Sequence, residues 1–105
     1  MEERPNYYAV IPADVRYDKD LTDKAKLLYG EISALSNKKG YCFASNKYFA
    51  DIYEISQGTI KRWLKQLEDK EYIKRDYSYK AGTKEILNRW IQICTHPSSK
   101  MIPPR

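Results

Sequence analysis

The chain has 105 residues, of which 42% are hydrophobic, and its 19 basic and 14 acidic residues give a net charge of +5. This length and composition predict one domain with a single core and argue against a disordered chain. The sequence has no run of about 20 apolar residues and no signal-peptide-like start, so we expect a cytoplasmic protein with no membrane partner. The positive charge fits a polyanionic partner but does not establish one.

The residues that usually carry catalysis or bind metals are sparse and poorly spaced for either task. Cys42 and Cys94 form no C-x-x-C pair, and His96 is the single histidine, so a structural zinc site lacks its ligands. The four glycines never recur at phosphate-loop spacing, and the aspartates within 14–23 lack the glutamate that closes a calcium loop. We therefore predict a non-enzymatic protein with no catalytic residues, no metal, no cofactor and two reduced thiols.

The first third of the chain predicts a lead-in segment and one helix. Residues 6–11 are rich in β-forming side chains, so we expect a short strand or an extended segment that ends at Pro12. Residues 13–20 are polar, and we expect them to be irregular. Thr22 precedes apolar residues that recur with helical spacing, which predicts a capped helix over about 23–36.

The middle of the chain carries the most informative pattern. Residues 41–43 are long enough only for a small strand or bridge. The stretch 45–73 then predicts two short helices joined by a tight turn and capped by Ser45 and Ser56. One side of the second helix carries Ile60, Leu64, Leu67 and Glu71, with Trp63 beside them. The opposite side is basic, and this combination is typical of helix-turn-helix proteins, which place the second helix in the major groove of DNA.

The residues after the second short helix predict a β-hairpin. Residues 72–79 and 85–95 are rich in aromatic and β-compatible side chains, and residues 80–83 suit a hairpin tip. The resulting order is strand, helix, small strand, helix, helix, strand, turn, strand. We therefore predict an α+β winged helix-turn-helix domain, with three helices, a small antiparallel sheet and a two-stranded wing.

The exposed side of the second short helix and two neighbouring features offer groups suited to DNA. Gln57 and Arg62 can form bidentate contacts with base edges, and Gly58 allows a close approach. Lys61 and Lys65 can neutralise phosphates. The start of the first short helix and the wing tip add further polar and basic groups. The predicted DNA contacts are Ser45, Asn46, Lys47, Ser56, Gln57, Gly58, Thr59, Lys61, Arg62, Lys65, Lys80 and Lys84.

Several of these features also have simpler explanations. Capping alone explains Ser45, and basic residues on a helix or hairpin tip occur on ordinary surfaces. The ten tyrosines would allow single-stranded nucleic acid to stack on exposed rings. We favour core packing for Tyr29, Tyr48 and Tyr72, because a small domain can fill its core with phenol rings.

Four stretches of the chain together are similar to one particular family. They are the lead-in IPADVRYDKDL, the helix DKAKLLYGEI, the junction GYCFASN and the second short helix with its exit, TIKRWLKQLEDKEYI. The combination resembles the N-terminal winged-helix domain of DnaD-like replication initiation proteins, the replisome organisers of phages and plasmids in Gram-positive bacteria. The resemblance covers about residues 7–93.

The resemblance implies that the domain recognises double-stranded origin DNA or supports self-association. In such proteins a separate C-terminal domain commonly contacts DNA and helps to recruit the replication helicase or its loader. We expect residues 1–95 to form the winged-helix domain. Residues 96–105 contain three prolines and are expected to be a flexible linker or tail leading to such a second domain.

The resemblance also bears on the apolar N-terminal segment. This segment can cover its own core, pair with its own sheet or pair with a second copy of the chain. The resemblance favours the last, which predicts a homodimer. The residues expected at its interface are Tyr7, Tyr8, Val10 and Ile11.

The predicted function is that of a double-stranded DNA-binding domain of a phage- or plasmid-type replication initiator, which places a replication complex at an origin. The same fold also serves transcriptional regulators. A third possibility is a homo-oligomerisation module with little DNA binding of its own. The residues alone leave these alternatives open.

Overall fold

Four helices followed by one β-hairpin make up the residues that the structure, a computed structural model, describes: 8–36 and 40–94. The elements are α1 (Ala13–Arg16), α2 (Asp23–Leu35), α3 (Asn46–Tyr53), α4 (Gln57–Asp69), β1 (Ile73–Tyr79) and β2 (Ile86–Ile93). The two strands pair antiparallel. This arrangement confirms the predicted α+β winged helix-turn-helix, with α2, α3 and α4 as the three expected helices and the hairpin as the wing.

The short helix α1 differs from the sequence prediction, which treated residues 13–20 as irregular. Pro12 starts it, and its carbonyl oxygen accepts hydrogen bonds from the amides of Val15 at 3.1 Å and Arg16 at 2.8 Å. Val15 is buried in the core. Four residues are too few to show a helical periodicity, so this turn is held by tertiary burial rather than by a pattern that the sequence displays.

Of the strand or extended segment expected over residues 6–11, no strand forms over residues 8–11, and residues 6 and 7 lie outside the described residues. The segment packs against α2 instead. A Cβ built on Gly30 would lie 3.0 Å from Ala9 Cβ and 3.1 Å from Ile11 Cγ1. The missing side chain of Gly30 therefore makes room for the segment, which covers its own domain on one side.

The three helices of the fold begin after the three hydroxyl residues predicted as caps. Each side chain accepts a hydrogen bond from a first-turn amide that would otherwise lack a partner. These bonds join Thr22 Oγ1 to Ala25 N (3.2 Å), Ser45 Oγ to Tyr48 N (3.0 Å) and Ser56 Oγ to Thr59 N (3.2 Å). The caps fix where α2, α3 and α4 start.

The turn between α3 and α4 is tight because Glu54, directly after α3, adopts a left-handed backbone conformation with φ 58°. The amide of Ile55 then bonds back to the carbonyl oxygen of Ala50 at 3.0 Å. Ala50 is itself buried, and its small side chain suits a close crossing of the two helices.

Helix α4 buries the apolar side that the sequence predicted. Ile60, Leu64 and Leu67 are completely buried. The prediction was wrong for Glu71, which is exposed and lies beyond the end of α4 at Asp69. Its φ is 65°, because the chain must turn out of the helix and into β1 over only a few residues.

Tyrosine rings fill part of the core. Tyr29 of α2 and Tyr72, just before β1, are both buried and meet edge to face with ring centres 6.4 Å apart. Tyr48 is partly buried and packs against the same core. The expected core role of these three tyrosines is therefore confirmed.

The wing is joined to the helices through the segment before α3. Cys42 forms an isolated antiparallel bridge with Ile91 of β2, as the sequence predicted for residues 41–43. At the opposite end of the hairpin, the amide of Lys80 donates to the carbonyl oxygen of Glu85 at 2.8 Å and closes the predicted tip. The wing is thus anchored at one end and carries Lys80 and Lys84 at the other.

Candidate nucleic-acid interface

The side of α4 opposite its buried residues is exposed, as predicted. The exposed positions on this side are Gln57, Gly58, Lys61, Arg62, Lys65 and Asp69. The basic residues all lie in the first nine positions of the helix, whereas the acidic Glu68 and Asp69 are its last two. Positive charge is therefore concentrated toward the N-terminal part of α4, which is the part that helix-turn-helix proteins direct at base edges.

Arg62 is oriented by the cap of its own helix. Its Nη2 donates to Thr59 Oγ1 at 3.0 Å, and Thr59 Oγ1 lies 3.0 Å from Ser56 Oγ. Ser56 and Thr59, both predicted DNA contacts, thus have structural roles in the cap and in holding Arg62. A guanidinium group carries five N–H donors, so one bond to Thr59 leaves most of the fork available for another partner.

The lysines predicted to bind DNA differ in their ion pairs. Lys47 and Lys65 form exposed pairs with Asp51 at 2.9 Å and with Asp69 at 3.4 Å. Exposed pairs of this kind contribute about 0.3–0.5 kcal/mol each, so a phosphate can compete with them. Within residues 8–36 and 40–94, Lys61 makes no salt bridge, and its ammonium group is available without breaking one.

Gly58 is the second residue of α4, and its neighbourhood is open. A Cβ at this position would meet only Ser56 Oγ, at an ordinary contact distance of 3.8 Å. Packing within the described residues therefore does not require glycine here. The free space on this side of the helix is consistent with a close approach by another molecule.

The start of α3 is tied to the wing by Arg89. Its Nη1 donates to Asn46 Oδ1 at 2.6 Å and its Nη2 donates to the carbonyl oxygen of Ala44 at 2.7 Å. Burial lowers the pKa of the Arg89 guanidinium from its usual value, but arginine remains charged in proteins. Two of the predicted contacts are therefore already engaged, Ser45 as the cap of α3 and Asn46 through its carbonyl oxygen.

A cleft of about 450 Å³ separates the start of α3 from the wing. It brings together four of the predicted contacts, Ser45, Asn46, Lys47 and Gln57. The rest of its lining comes from Phe43, Ala44, Tyr77, Ile86, Leu87, Asn88 and Arg89. The cleft therefore joins the two short helices and the wing into one surface.

The remaining predicted contacts lie outside this cleft. Lys61, Arg62 and Lys65 occupy the exposed face of α4, and Lys80 and Lys84 are exposed at the tip of the wing. The structure thus places the predicted residues in three groups rather than in one cluster. A long ligand that runs across all three is needed to contact them together.

Sequence reasoning missed Arg89 and the apolar wing residues beside it. The sequence does contain a signal for Arg89. It lies at the same strand spacing as the apolar Ile91 and Ile93, and a charged side chain on that face of the strand requires a partner. Leu87 is 56% exposed and Phe43 is 52% exposed at the edge of the cleft. Nothing in the sequence distinguishes these two residues from core positions.

Comparison with known protein families decides the class of this domain. A family model described as a helix-turn-helix domain matches residues 19–73, which is more than half of the chain. The chain belongs to this helix-turn-helix family. The matched range runs from just before α2 to the first residue of β1 and contains both short helices with their turn. Membership of the family indicates DNA binding.

The other comparisons add no relative. No curated protein and no solved structure matches the chain. The family match covers the three helices of this helix-turn-helix protein but not the wing, which is known from the structure alone.

The described residues contain no group of three or more His, Cys, Asp or Glu side chains that could hold a metal ion. His96 lies outside them, as do residues 37–39 and the predicted linker at 96–105. Cys42 and Cys94 are both free, and burial raises the pKa of the Cys42 thiol to about 11, so that thiol stays protonated. None of the helices in the described part of the chain is long and apolar enough to cross a membrane.

Proposed function

We propose that this chain is the duplex-DNA-binding domain of a phage- or plasmid-type replication initiator and helps to place a replication complex at an origin. The observation that carries the DNA-binding part is the exposed, basic N-terminal part of α4. Lys61 there is free of salt bridges to described residues, and Arg62 is oriented by Thr59. In this proposal α4 enters the major groove, where Gln57 and Arg62 contact base edges.

Phosphates on either side of the groove are contacted by the start of α3, by two lysines of α4 and by the tip of the wing. Ser45, Asn46 and Lys47 at the start of α3 lie beside one stretch of backbone, and Lys61 and Lys65 neutralise phosphates along α4. Lys80 and Lys84 at the wing tip reach the backbone or the minor groove. DNA is long enough to cross all three surfaces, whereas a small anion is not.

The replication role rests on the resemblance of four sequence motifs to DnaD-like initiators. In this proposal residues 1–95 are the DNA-binding domain, and residues 96–105 link it to a second domain that recruits a helicase or its loader. The protein acts in the cytoplasm, binds no cofactor and is not an enzyme. A transcriptional regulator would use the same surface, so the neighbouring genes discriminate between the two roles. Neighbouring genes for a helicase or its loader favour replication, whereas neighbouring genes that this protein regulates favour transcription.

A homodimer is part of the proposal, and exposure along the N-terminal segment supports it. Ala9 and Ile11 face Gly30, whereas Tyr8 and Val10 are 91% and 60% exposed. The segment therefore covers α2 with one side and presents apolar groups on the other. A second copy that covers these groups would carry a second α4, which favours repeated or palindromic half-sites.

A salt titration of duplex binding tests the proposal. The logarithm of the binding constant should fall with the logarithm of salt concentration, with a slope of about −0.9 for each phosphate contacted. Lys61→Ala should make the slope shallower by about one contact, while Lys24→Ala, an equal loss of charge at an exposed site on α2, should leave it unchanged. Weak binding with no salt dependence would instead favour the homo-oligomerisation module.

A further inference from the structure

Arg89 reaches from the wing to the start of α3 with both ends of its guanidinium group. It is paired with Tyr77 across the hairpin, and its two short hydrogen bonds, of 2.6 Å and 2.7 Å, end on Asn46 and Ala44. The bonded residues are 43 and 45 positions away along the chain. The contact therefore holds one side of the cleft against the other.

The chemistry of this contact fixes the orientation of the Asn46 amide. A guanidinium group carries only donors, so the Asn46 atom that faces it must be the carbonyl oxygen. The Nδ2 group, with its two N–H donors, then points away from Arg89. No hydrogen bond joins Nδ2 to a described residue, and no described side-chain nitrogen or oxygen is buried without a partner. Nδ2 is therefore accessible from the cleft that Asn46 lines.

An amide held in this way turns its carbonyl oxygen toward Arg89 and presents its two N–H donors on the other side. Phosphate oxygens accept hydrogen bonds, so they match such a group. The bidentate contact of asparagine with adenine needs the carbonyl oxygen and the amino group to face the base together, and here the oxygen faces Arg89 instead. We propose that Arg89 is a positioning residue for DNA binding, which holds Asn46 as a donor to the phosphate backbone and excludes it from base recognition.

This inference rests on the proposed DNA-binding function and adds a role to a residue that need not touch DNA. Arg89 is partly buried, and its two terminal nitrogens are directed at protein oxygens. Its contribution therefore passes through Asn46 and through the fixed distance between α3 and the wing. Loss of Arg89 should weaken binding without changing which bases are preferred.

Asn46→Asp gives the sharpest test. The carboxylate still accepts from Arg89 and forms an ion pair with it, so the thermal midpoint should stay at or above that of the unaltered chain. The group that faced the phosphate becomes an anionic acceptor, so affinity for a mixed-sequence duplex of about 30 base pairs in low salt should fall more than tenfold. Asn46→Ala should lose about tenfold, as expected for one charge-assisted hydrogen bond.

A double-mutant cycle separates positioning from direct contact. Arg89→Met should weaken duplex binding in the unaltered chain and should have little further effect in the Asn46→Ala background, because one change releases the donor that the other removes. Each variant is melted alongside its binding measurement. If Arg89→Met does not fold, Arg89→Lys takes its place in the cycle, because lysine keeps the charge but lacks the planar fork that bonds Asn46 and Ala44 together.

Several results would overturn the inference. Wild-type affinity in Asn46→Asp would remove this amide from the interface, while duplex binding by the unaltered chain would leave the proposed function intact. Losses from Arg89→Met and Asn46→Ala that add in the cycle would mean that Arg89 acts independently of Asn46. Failure of the unaltered chain to bind duplex would overturn the proposed function and this inference together.

Discussion

The hydroxyl group of Tyr72 donates a 2.7 Å hydrogen bond to Asp18 Oδ2, joining the segment before α2 to the start of the wing. Lys70 Nζ lies 3.3 Å from the same carboxylate. These three residues connect the segment before α2 to the junction between α4 and the wing, and the connection depends on the charge of Asp18. It therefore makes the stability of the domain sensitive to acid.

The first prediction concerns pH. Burial raises the pKa of Asp18, but the hydrogen bonds from Tyr72 and the Asp20 amide, together with Lys70, outweigh it, so the pKa is lowered overall. A carboxyl group with a lowered folded-state pKa stabilises the fold above its unfolded pKa, near 3.9, and this stabilisation is lost as pH falls toward the folded value. Thermal melts should show declining stability below about pH 4.

Asp18→Asn should flatten this decline and cost about 1 kcal/mol at neutral pH. Asp51→Asn is the matched control, because it removes an exposed carboxylate that pairs only with exposed Lys47 among the described residues. Equal acid profiles for the unaltered chain and Asp18→Asn would remove this carboxylate as the source of the acid sensitivity.

The second prediction concerns the exposed face of α4. Arg62→Ala should cost about 1–3 kcal/mol of duplex binding and relax base preference, while Lys65→Ala should weaken binding evenly across sequences. Neither should alter folding, because both side chains point away from the buried side of the helix. Selection of bound duplexes from a random pool measures preference, and unchanged affinity in both variants would exclude this face from the interface.

The third prediction is a substitution on the same face of α4 that should tighten duplex binding rather than weaken it. Asp69 pairs with Lys65 on the exposed face, and it places negative charge beside the proposed path of the phosphates. Asp69→Asn should therefore tighten duplex binding in low salt, and the gain should disappear in high salt as charges are screened. Weaker binding by this variant would place the DNA elsewhere.

The fourth prediction concerns the core. Leu64 is completely buried, so Leu64→Ala should cost about 2–5 kcal/mol, a large part of the stability of a small domain. Leu27 of α2 is 50% exposed and provides the control, since the same chemical change there should cost much less. Denaturant unfolding of both variants gives the comparison. Similar losses at the two positions would contradict the assigned burial.

The fifth prediction concerns Gly58. Alanine fits at this position, and it should stabilise α4 by about 1 kcal/mol. If DNA approaches the helix backbone closely here, Gly58→Ala should nevertheless weaken duplex binding. A variant that is both more stable and equally tight in binding would show that the glycine makes no contact with DNA.

The last prediction concerns the dimer. Tyr8→Ser combined with Val10→Ser removes the outward apolar groups and leaves Ala9 and Ile11 in place on α2, so light scattering should show the loss of dimers without unfolding. Tyr17→Ser, at another exposed tyrosine, should leave the dimer intact. A monomeric unaltered chain would end the dimer hypothesis, and a dimer in every variant would move the interface to another surface.

Local signals account for the parts of the fold that the sequence predicted. The caps at Thr22, Ser45 and Ser56 act over three residues, and the buried side of α4 repeats at helical spacing, so both are visible in a short window. Glu71 was misplaced because that spacing was extended past the end of the helix. Helix α1 was missed because a single turn has no repeat to detect.

Contacts between distant residues explain what the sequence did not show at the candidate site. Asn46 was predicted as a DNA contact from its place at the start of a helix, but its engagement by Arg89 depends on how the wing returns past α3. The cleft and its apolar lining arise from the same long-range packing. Side-chain type suggested the candidate residues, while their orientation depends on the three-dimensional structure.

Gly30 has an effect beyond its own contacts with Ala9 and Ile11. Side chains of an extended segment alternate in direction. The contacts of residues 9 and 11 with Gly30 therefore leave residues 8 and 10 facing outward. A shift of one position would bury Tyr8 and Val10 and display alanine and isoleucine in their place. The absence of a side chain at Gly30 thereby determines which side chains of residues 8–11 are exposed to a second molecule.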